Sequence, residues 1–459
     1  MTAGEHGRDV PDRRSWRDRL TPDWLFGDVA RAGVLVGAVQ GVGLLLVFLL
    51  QILLARLIAD PSAYGLYVWG QNLLFLVGGV LAMGLPIVAG RHMAVQVQRG
   101  DRRAQGAVLR RALALIALAS VLIFALGRLL LWQLPPTITV APDIALLALL
   151  GAPLAATTLL YQGLSRARGH TVSAFLPYQV LRPLFTAVLA LAAVVVAGPR
   201  LSAIEALLAV VSGLALVHGV QWRLGRRPPR APVAPSTADE VAVPGLSRLL
   251  REGLPVFGAS ACGLVMTYAN TLAVGVLAGP AAAGAFFIAE RLAQLASTPA
   301  VVASAVIQPW LATAHASHNR GRLQAVVTQA AHIGLWPTLV LAAGVWLCSE
   351  FLLHLFGAAF LHAQPILGAL LLGRLIGVAL GPAQILLLMT GHQGPALRVS
   401  AFAALSHLLL LVWLVPIWGA VGAALTSVAS SLLINTGCLV LVWRRLGLQG
   451  TILATRRRG

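Results

Sequence analysis

Four arginines and one glutamate lie inside long apolar stretches of this sequence, where a charge is costly and therefore informative. They are Arg91, Arg182, Glu290, Arg291 and Arg374. A charge at the centre of a bilayer costs at least ~2.5–3.5 kcal/mol on insertion scales, so such a side chain normally faces a bundle interior or a cavity. Four guanidinium groups against one carboxylate make a net positive interior, and guanidinium forks suit phosphate oxygens. These residue types favour the binding of an anion.

Arg374 occupies the most costly of these positions, because uncharged runs of 23 residues lie on both sides of it. Glu290 is the candidate for coupling to H+ or Na+. A structural alternative stays open, in which Glu290 pairs with Arg374 or Arg91 and locks helices together. Arg91 and Arg182 could also extend to the membrane interface, as long basic side chains do.

Polar amides repeat between two parts of the chain. At an offset of 219 residues, Gln51 to Gly65 lies over Asn270 to Gly284 with identical residues at Leu53, Pro61, Ala63 and Gly65, among others. At the same offset, residues 71–72 lie over 290–291. We therefore expect both halves to point polar groups at a shared cavity. The predicted substrate-binding residues are Arg291, Arg374, Arg182, Arg91, Gln71, Asn72 and Asn270.

Apolar helices must position these residues, and the composition supplies them. Of the 459 residues 58% are apolar and 11% are charged, whereas soluble domains have about 25% charged residues. The run from Val399 to Trp443 alone has 45 uncharged residues, and a span needs roughly 20. We predict an all-α polytopic membrane protein with twelve transmembrane helices. They lie near 32–55, 66–90, 108–131, 144–165, 173–197, 203–222, 253–277, 284–308, 325–348, 361–388, 396–416 and 421–443.

The repeat divides the chain into two six-helix bundles. Six spans in each half give the halves the same orientation, related by an axis along the membrane normal, which is a transporter architecture with the substrate between the halves. The predicted parts are a cytoplasmic leader at 1–31, the first bundle at 32–222, a linker rich in Pro and Arg at 223–247, the second bundle at 248–443 and a basic tail at 444–459.

The arginines predict the orientation. Of the 34, 27 lie in the leader, the linker, the tail and the connections on their side, whereas 3 lie on the opposite side. Arginine accumulates on the cytoplasmic side, so we expect a multi-pass protein of the cell (inner) membrane with both termini in the cytoplasm. The net charge of +19 then reflects orientation, and no nucleic-acid partner is expected.

Several kinds of chemistry are excluded or unsupported. The sequence contains no lysine, which excludes a Walker lysine, so an ATP-driven mechanism would need another subunit. The three cysteines lie singly, without the spacing of a zinc site or a disulfide framework. We expect no metal, no cofactor and no catalytic residues.

Three short motifs carry a resemblance to a known family. The first is Gln51–Arg56 followed by Ala63–Tyr67, which is similar to the first hairpin of bacterial polysaccharide flippases. Val415–Ala424 resembles the Ile-Pro-x-Tyr-Gly-x-x-Gly-Ala-Ala turn between their last two helices, and Gly391-His392 fits the turn before the penultimate helix. From about Arg31 to Trp443, the chain resembles O-antigen-type flippases of the multidrug/oligosaccharidyl-lipid/polysaccharide exporter superfamily.

The resemblance implies two six-helix bundles arranged as a V around a central cavity. It implies a flippase that moves a polyprenyl-pyrophosphate-linked oligosaccharide to the outer leaflet by alternating access, for lipopolysaccharide or other cell-surface polysaccharide. Candidate partners are membrane lipid, H+ or Na+, and polysaccharide polymerase and chain-length proteins. Asn270 stands where many relatives have an acidic residue, which counts against a carboxylate-based cation site there.

Two alternatives remain. One is a multidrug or lipid II exporter of the same superfamily. The other is a membrane glycan polymerase or glycosyltransferase, which usually displays a sizeable external loop with catalytic groups. The longest predicted external connection, about Trp132 to Asp143, has a dozen residues and one acid, so we do not expect an enzyme.

Overall fold

The computed structural model describes residues 28–133, 141–228, 244–316 and 320–448, which form helices and turns without a β-strand. Most of the predicted leader, linker and tail lies outside these ranges. The helices are α1 (Asp28–Ile58), α2 (Pro61–Leu81), α3 (Leu85–Gln98), α4 (Arg102–Gln133), α5 (Pro142–Ala167), α6 (Thr171–Leu176), α7 (Arg182–Ala197), α8 (Ala203–Leu224), α9 (Leu246–Leu277), α10 (Pro280–Ala316), α11 (Arg320–Leu347), α12 (Ser349–Phe356), α13 (Gln364–Ala379), α14 (Ala383–Met389) and α15 (Gln393–Leu446), with a π-helical segment at Pro177–Leu181 and a 3-10 segment at Ala358–Ala363.

The described helices confirm the predicted all-α membrane fold. Ten helical stretches are long and apolar enough to cross a membrane. One of them, α15, is a hairpin and counts twice. Helix α10 has 37 residues and is not among these ten stretches. With α10 and the hairpin, the described residues make twelve passes.

Two of the predicted spans are broken rather than continuous. The span near 66–90 is divided between α2 and α3, where Met83 and Gly84 have φ of 44° and 70°. Pro86 follows in the first turn of α3, where its missing N–H removes no helical hydrogen bond. The span near 361–388 is likewise divided between α13 and α14, at Gly381 (φ 77°) and Pro382.

Helix α15 consists of two arms that fold back on each other. Gly419 has φ 56° and ψ −137°, outside the helical region, and only glycine adopts such a conformation readily. His407 of the first arm contacts Ser430 of the second, with Nδ1 2.9 Å from Oγ. The arms, residues 393–418 and 420–446, correspond to the predicted spans at 396–416 and 421–443.

The two helical bundles are joined more extensively at one end than at the other. We name the ends by a residue in their turns: the Asp60 end and the Arg168 end. Toward the Asp60 end, one hydrophobic core includes residues of both halves, such as Tyr64 and Phe287. Toward the Arg168 end, one smaller core surrounds Met93 of the first half and includes Leu249 of α9, and another surrounds Leu386 of the second half.

The closure at the Asp60 end is a close crossing of backbones. A Cβ atom on Gly65 of α2 would lie 1.8 Å from the carbonyl oxygen of Pro280, at the start of α10. On the same side, Arg56 donates through Nε to the carbonyl oxygen of Leu355 at 2.7 Å. Nearby, the Trp69 indole donates to the carbonyl oxygen of Leu272 at 3.2 Å.

A polar contact between the halves lies toward the Arg168 end. His92 of α3 places Nε2 2.8 Å from the Glu252 carboxylate of α9, and Arg248 donates to the same carboxylate at 2.8 Å. Glu252 precedes the membrane-spanning part of α9, which begins at Ser260. The hydrogen bonds from Arg248 and then His92 hold the pKa of the Glu252 carboxyl below its usual value.

Candidate functional site

A polar cavity of about 290 Å³ lies inside the second half. It brings together four of the predicted site residues from three helices. These are Asn270 of α9, Glu290 and Arg291 of α10, and Arg374 of α13. The remaining lining residues are Met266, Thr267, Gln294, Leu370, Gly373, His407, Ser427, Val428, Ser431 and Ile434.

Helix α10 places the charges deep in the bundle. Glu290 is ten residues after Pro280, so at 1.5 Å per residue it lies ~15 Å from the helix start. Arg291 donates through Nη1 to the Gln294 side chain at 2.9 Å, and its guanidinium lies 4.6 Å from the centre of the Phe287 ring. These contacts orient the guanidinium without neutralising its charge.

Three buried polar atoms of the cavity residues have no hydrogen-bond partner within the described chain. They are Oδ1 of Asn270, Nε of Arg291 and Nε2 of His407. Buried polar groups are normally paired, because an unpaired group loses its hydration without compensation. Their concentration in one cavity indicates a site for water or a polar ligand.

In the described ranges, the structure does not contain the ion pair by which Glu290 would hold two helices together. Among the described residues, Glu290 forms no ion pair within 4 Å with Arg374 or Arg91. Glu290 and Arg374 nevertheless line the same cavity. Both charges therefore remain available to whatever enters it.

Gln71 and Asn72 lie apart from the arginines. In the first half, Gln51 donates to Gln71 Oε1 at 3.3 Å, and the hydroxyl of Tyr67 also donates to Gln71. Asn72 donates to the carbonyl oxygen of Val68 at 2.7 Å. The positions that are charged in the second half are here neutral, buried and hydrogen-bonded to other groups of the first half.

Arg182 and Arg91 also lie outside this cavity. The Arg182 guanidinium lies over the rings of Phe75 and Tyr178, 5.2 and 4.6 Å from their centres. It follows the π-helical segment and donates to the carbonyl oxygen of Tyr178 at 3.2 Å. Arg91 is exposed on α3. Only the second-half members of the predicted set line this cavity.

His407 and Gln51 are the residues that the sequence prediction missed. Gln51 could have been found from the repeat, since it lies over Asn270 at the offset of 219. The structure gives it a neutral partner, Gln71, where the second half has Glu290. His407 has no such signal, because a single histidine in an apolar run is usually a core residue.

Comparison with known families agrees with this fold. The family model described as "Polysaccharide biosynthesis protein" matches residues 29–315, more than half of the chain. No curated protein matches the chain significantly.

Solved structures share the architecture. An inward-facing multidrug resistance MATE family transporter of the MOP superfamily has a TM-score of 0.71 and 17% identity over 87% of this chain and 94% of its own. An outward-facing structure of such a transporter has a TM-score of 0.61 and 17% identity over 92% and 97%. The lipid II flippase MurJ, in an inward closed conformation, has a TM-score of 0.68 and 13% identity over 89% and 87%. At these identities the likeness concerns the fold.

Proposed function

Because this chain belongs to the polysaccharide biosynthesis protein family, we propose that it is a membrane flippase for a polyprenyl-pyrophosphate-linked oligosaccharide. It moves the substrate from the cytoplasmic to the outer leaflet by alternating access, for cell-surface polysaccharide of the O-antigen type. The observation that carries the proposal is the convergence of Arg291 and Arg374, from different helices, on one polar cavity.

The charge of the cavity selects the class of ligand. Two guanidinium groups face one carboxylate, and amide and hydroxyl groups supply neutral donors. Inside the membrane such charges are weakly screened, so a pyrophosphate gains much from two nearby guanidinium groups. The same balance is unfavourable for a cationic drug, which counts against the multidrug alternative.

The cavity is large enough for only part of the proposed substrate. Ligand pockets for small molecules occupy roughly 300–1,000 Å³, and this one has about 290 Å³. It suits a pyrophosphate with its adjoining groups rather than a whole lipid-linked glycan. The remaining sugars then occupy the space between the halves, taken as residues 32–222 and 248–443, and the polyprenyl tail stays in the bilayer.

The closure of the Asp60 end supports loading from the opposite side. The halves share an extensive core at the Asp60 end, whereas at the Arg168 end the buried core around Met93 takes in only Leu249 of the second half and the core around Leu386 is separate. The TM-score is also higher to the inward-facing transporter than to the outward-facing one. The arginine distribution predicts that the Arg168 end is cytoplasmic. Outward movement of a negative charge across an inside-negative membrane gains ~2.3 kcal/mol per 100 mV.

Substitution of the two cavity arginines tests the proposal. Arg374→Ala and Arg291→Ala should abolish glycan export while the protein stays inserted, and the corresponding lysine variants should retain part of it. Surface glycan and membrane protein level are measured for each variant. Arg398→Ala, an exposed arginine of α15 outside the cavity, is the matched control. Normal glycan display by both cavity variants would refute the proposal.

Glu290→Gln separates a structural role of the carboxylate from an ion-coupling role. We expect a normal protein level with export that responds less strongly to the H+ or Na+ gradient. Loss of protein as severe as for an unfolded variant would assign Glu290 a structural role. A lipid II exporter would be recognised by a different consequence of Arg374→Ala, namely a defect in cell-wall synthesis with normal surface polysaccharide.

A further inference from the structure

We propose that His407 is a third anion-binding group of this cavity and that the anion binds there together with a proton. The inference rests on the proposed function of the same cavity and deepens it. It couples binding of the pyrophosphate group to the uptake of a proton. The proton is assigned to His407 and not to Glu290, the only carboxylate among the described residues that line the cavity.

The surroundings of His407 give its imidazole a defined direction. The side chain is 1% exposed, and Nδ1 lies 2.9 Å from the hydroxyl oxygen of Ser430 on the facing arm of α15. A hydroxyl that donates to Nδ1 fixes the tautomer in which Nε2 carries the hydrogen. Nε2 has no partner in the described chain, although His407 lines the cavity. With Ser430 as the donor to Nδ1, Nε2 is a buried hydrogen-bond donor that has no partner within the described chain.

The groups that face His407 across the cavity determine when it is charged. Helix α10 contributes Glu290 and Arg291, and α13 contributes Arg374, while α9 and the second arm of α15 contribute only uncharged polar groups. In the cavity without an anion, the two arginines and the burial of the imidazole disfavour a further positive charge. A bound pyrophosphate reverses this, because its negative oxygens stabilise the imidazolium.

The consequence is that binding and protonation are the same event at this site. The neutral imidazole of the empty cavity donates one hydrogen bond through Nε2. When the anion enters, Nδ1 takes up a proton and the imidazolium then donates from both nitrogens, with Ser430 turning to accept. Glu290 can remain ionised or take up a proton in the same step, so the test must separate the two residues.

Calorimetric titration of the purified full-length protein with inorganic pyrophosphate measures the proton directly. The titration is repeated at pH 7 in two buffers of different ionisation enthalpy, which gives the protons taken up on binding. The variants are His407→Gln, which keeps a neutral donor, Glu290→Gln and His218→Gln. His218 is a half-buried histidine of the first half that contacts Thr157 and serves as the matched control.

We expect wild type and His218→Gln to take up the same number of protons and His407→Gln to take up fewer. The affinity of wild type should rise roughly fivefold or more between pH 8 and pH 6 relative to His407→Gln, a typical size for coupled equilibria. Protonation of pyrophosphate itself changes with pH in the same way for both proteins, so it does not affect this comparison. Equal proton uptake by wild type and His407→Gln would overturn the inference, as would a deficit confined to Glu290→Gln.

Failure of the proposed function has a different signature. If pyrophosphate binding is absent, or is unchanged in Arg374→Ala, the cavity is not an anion site. Both the proposed function and the proposed role of His407 would then be refuted. If His407→Gln does not fold, Ser430→Ala provides the second test. Loss of that hydroxyl frees the imidazole from its fixed orientation, so the affinity at pH 8 should fall several-fold, and unchanged affinity would refute the role of His407.

Discussion

Gly65 and Gly284 occupy equivalent positions of the two halves and lie against each other where α2 crosses α10. A Cβ atom on Gly284 would lie 3.3 Å from the Cα atom of Gly65. Equivalent residues of two repeats meet in this way where a twofold axis passes between them. The crossing is also the closest approach of the halves at the Asp60 end, so it determines how tightly that end closes.

Gly65→Ala should open this crossing. The new methyl group would overlap the Pro280 carbonyl oxygen at 1.8 Å, and backbone on both sides leaves no side chain that could move away. Overpacking typically costs about 1–3 kcal/mol, so the thermal midpoint of the solubilised protein should fall. Gly41→Ala is the control, since a Cβ there has nothing within 4 Å. Equal midpoints for the two variants would contradict the close crossing.

Gln71→Leu should lower stability and leave anion binding unchanged. The substitution leaves the buried amide of Gln51 and the hydroxyl of Tyr67 with fewer partners, at a cost of about 1–3 kcal/mol. Arg291→Ala should show the opposite pattern. Thermal unfolding and pyrophosphate titration of both variants make the comparison. Weaker pyrophosphate binding by a stable Gln71→Leu variant would instead support the substrate-binding role that the sequence predicts.

Acid should weaken the contact between His92 and Glu252. Because the pKa of Glu252 is lowered in the folded state, its contribution to stability is present above the unfolded pKa of about 4.3. The contribution is lost as pH falls through the lower folded pKa. The carboxylate side chain is 38% exposed, so we expect an effect of about 1 kcal/mol or less.

The measurement is the difference in thermal midpoint between wild type and Glu252→Gln from pH 7 to pH 3. This difference should shrink toward zero at the acid end. Glu350→Gln, at an exposed acid of the Asp60 end, controls for general effects of charge. A difference that stays constant with pH would show that the carboxylate does not act through its ionised form.

Cysteine labelling tests the orientation. In a variant without its three native cysteines, a cysteine at Ala358 should be labelled from outside the cell, and one at Gln393 only after the membrane is permeabilised. Both positions are exposed and lie at opposite ends of the bundle. The reverse pattern would place the termini outside and would invert the proposed direction of loading.

The twelve passes were predictable because each depends on local hydropathy, which is strong in a chain that is 58% apolar. Hydropathy did not predict the helix interruptions at Met83–Gly84 and Gly381–Pro382. Apolar residues continue across both breaks, and the backbone conformation there depends on neighbouring helices. Pro86 and Pro382 mark the right regions, but a proline within a helical pattern can give either a bend or a break.

The candidate site was predicted in part. The cost of a buried charge singles out Glu290, Arg291 and Arg374 from sequence alone. The repeat extends the prediction to Gln71 and Asn72, but equivalence in sequence does not give equivalence in surroundings. In the first half, Gln51 and Tyr67 donate to Gln71, and Asn72 donates to the carbonyl oxygen of Val68. The pairing of Gln51 with Gln71 depends on which helix faces touch, which the sequence does not give.

The unequal closure of the two ends has a kinetic consequence. Opening the Asp60 end requires separation of close-packed helices over an extensive shared core. Toward the Arg168 end, the halves meet at one backbone crossing, Met83 with Gly253, and at a partly exposed carboxylate that water can reach. Unpacking a close-packed contact has a larger activation enthalpy than exchanging an exposed ion pair for water. We therefore expect the outward-opening step to limit turnover, with a steep temperature dependence that Gly65→Ala flattens.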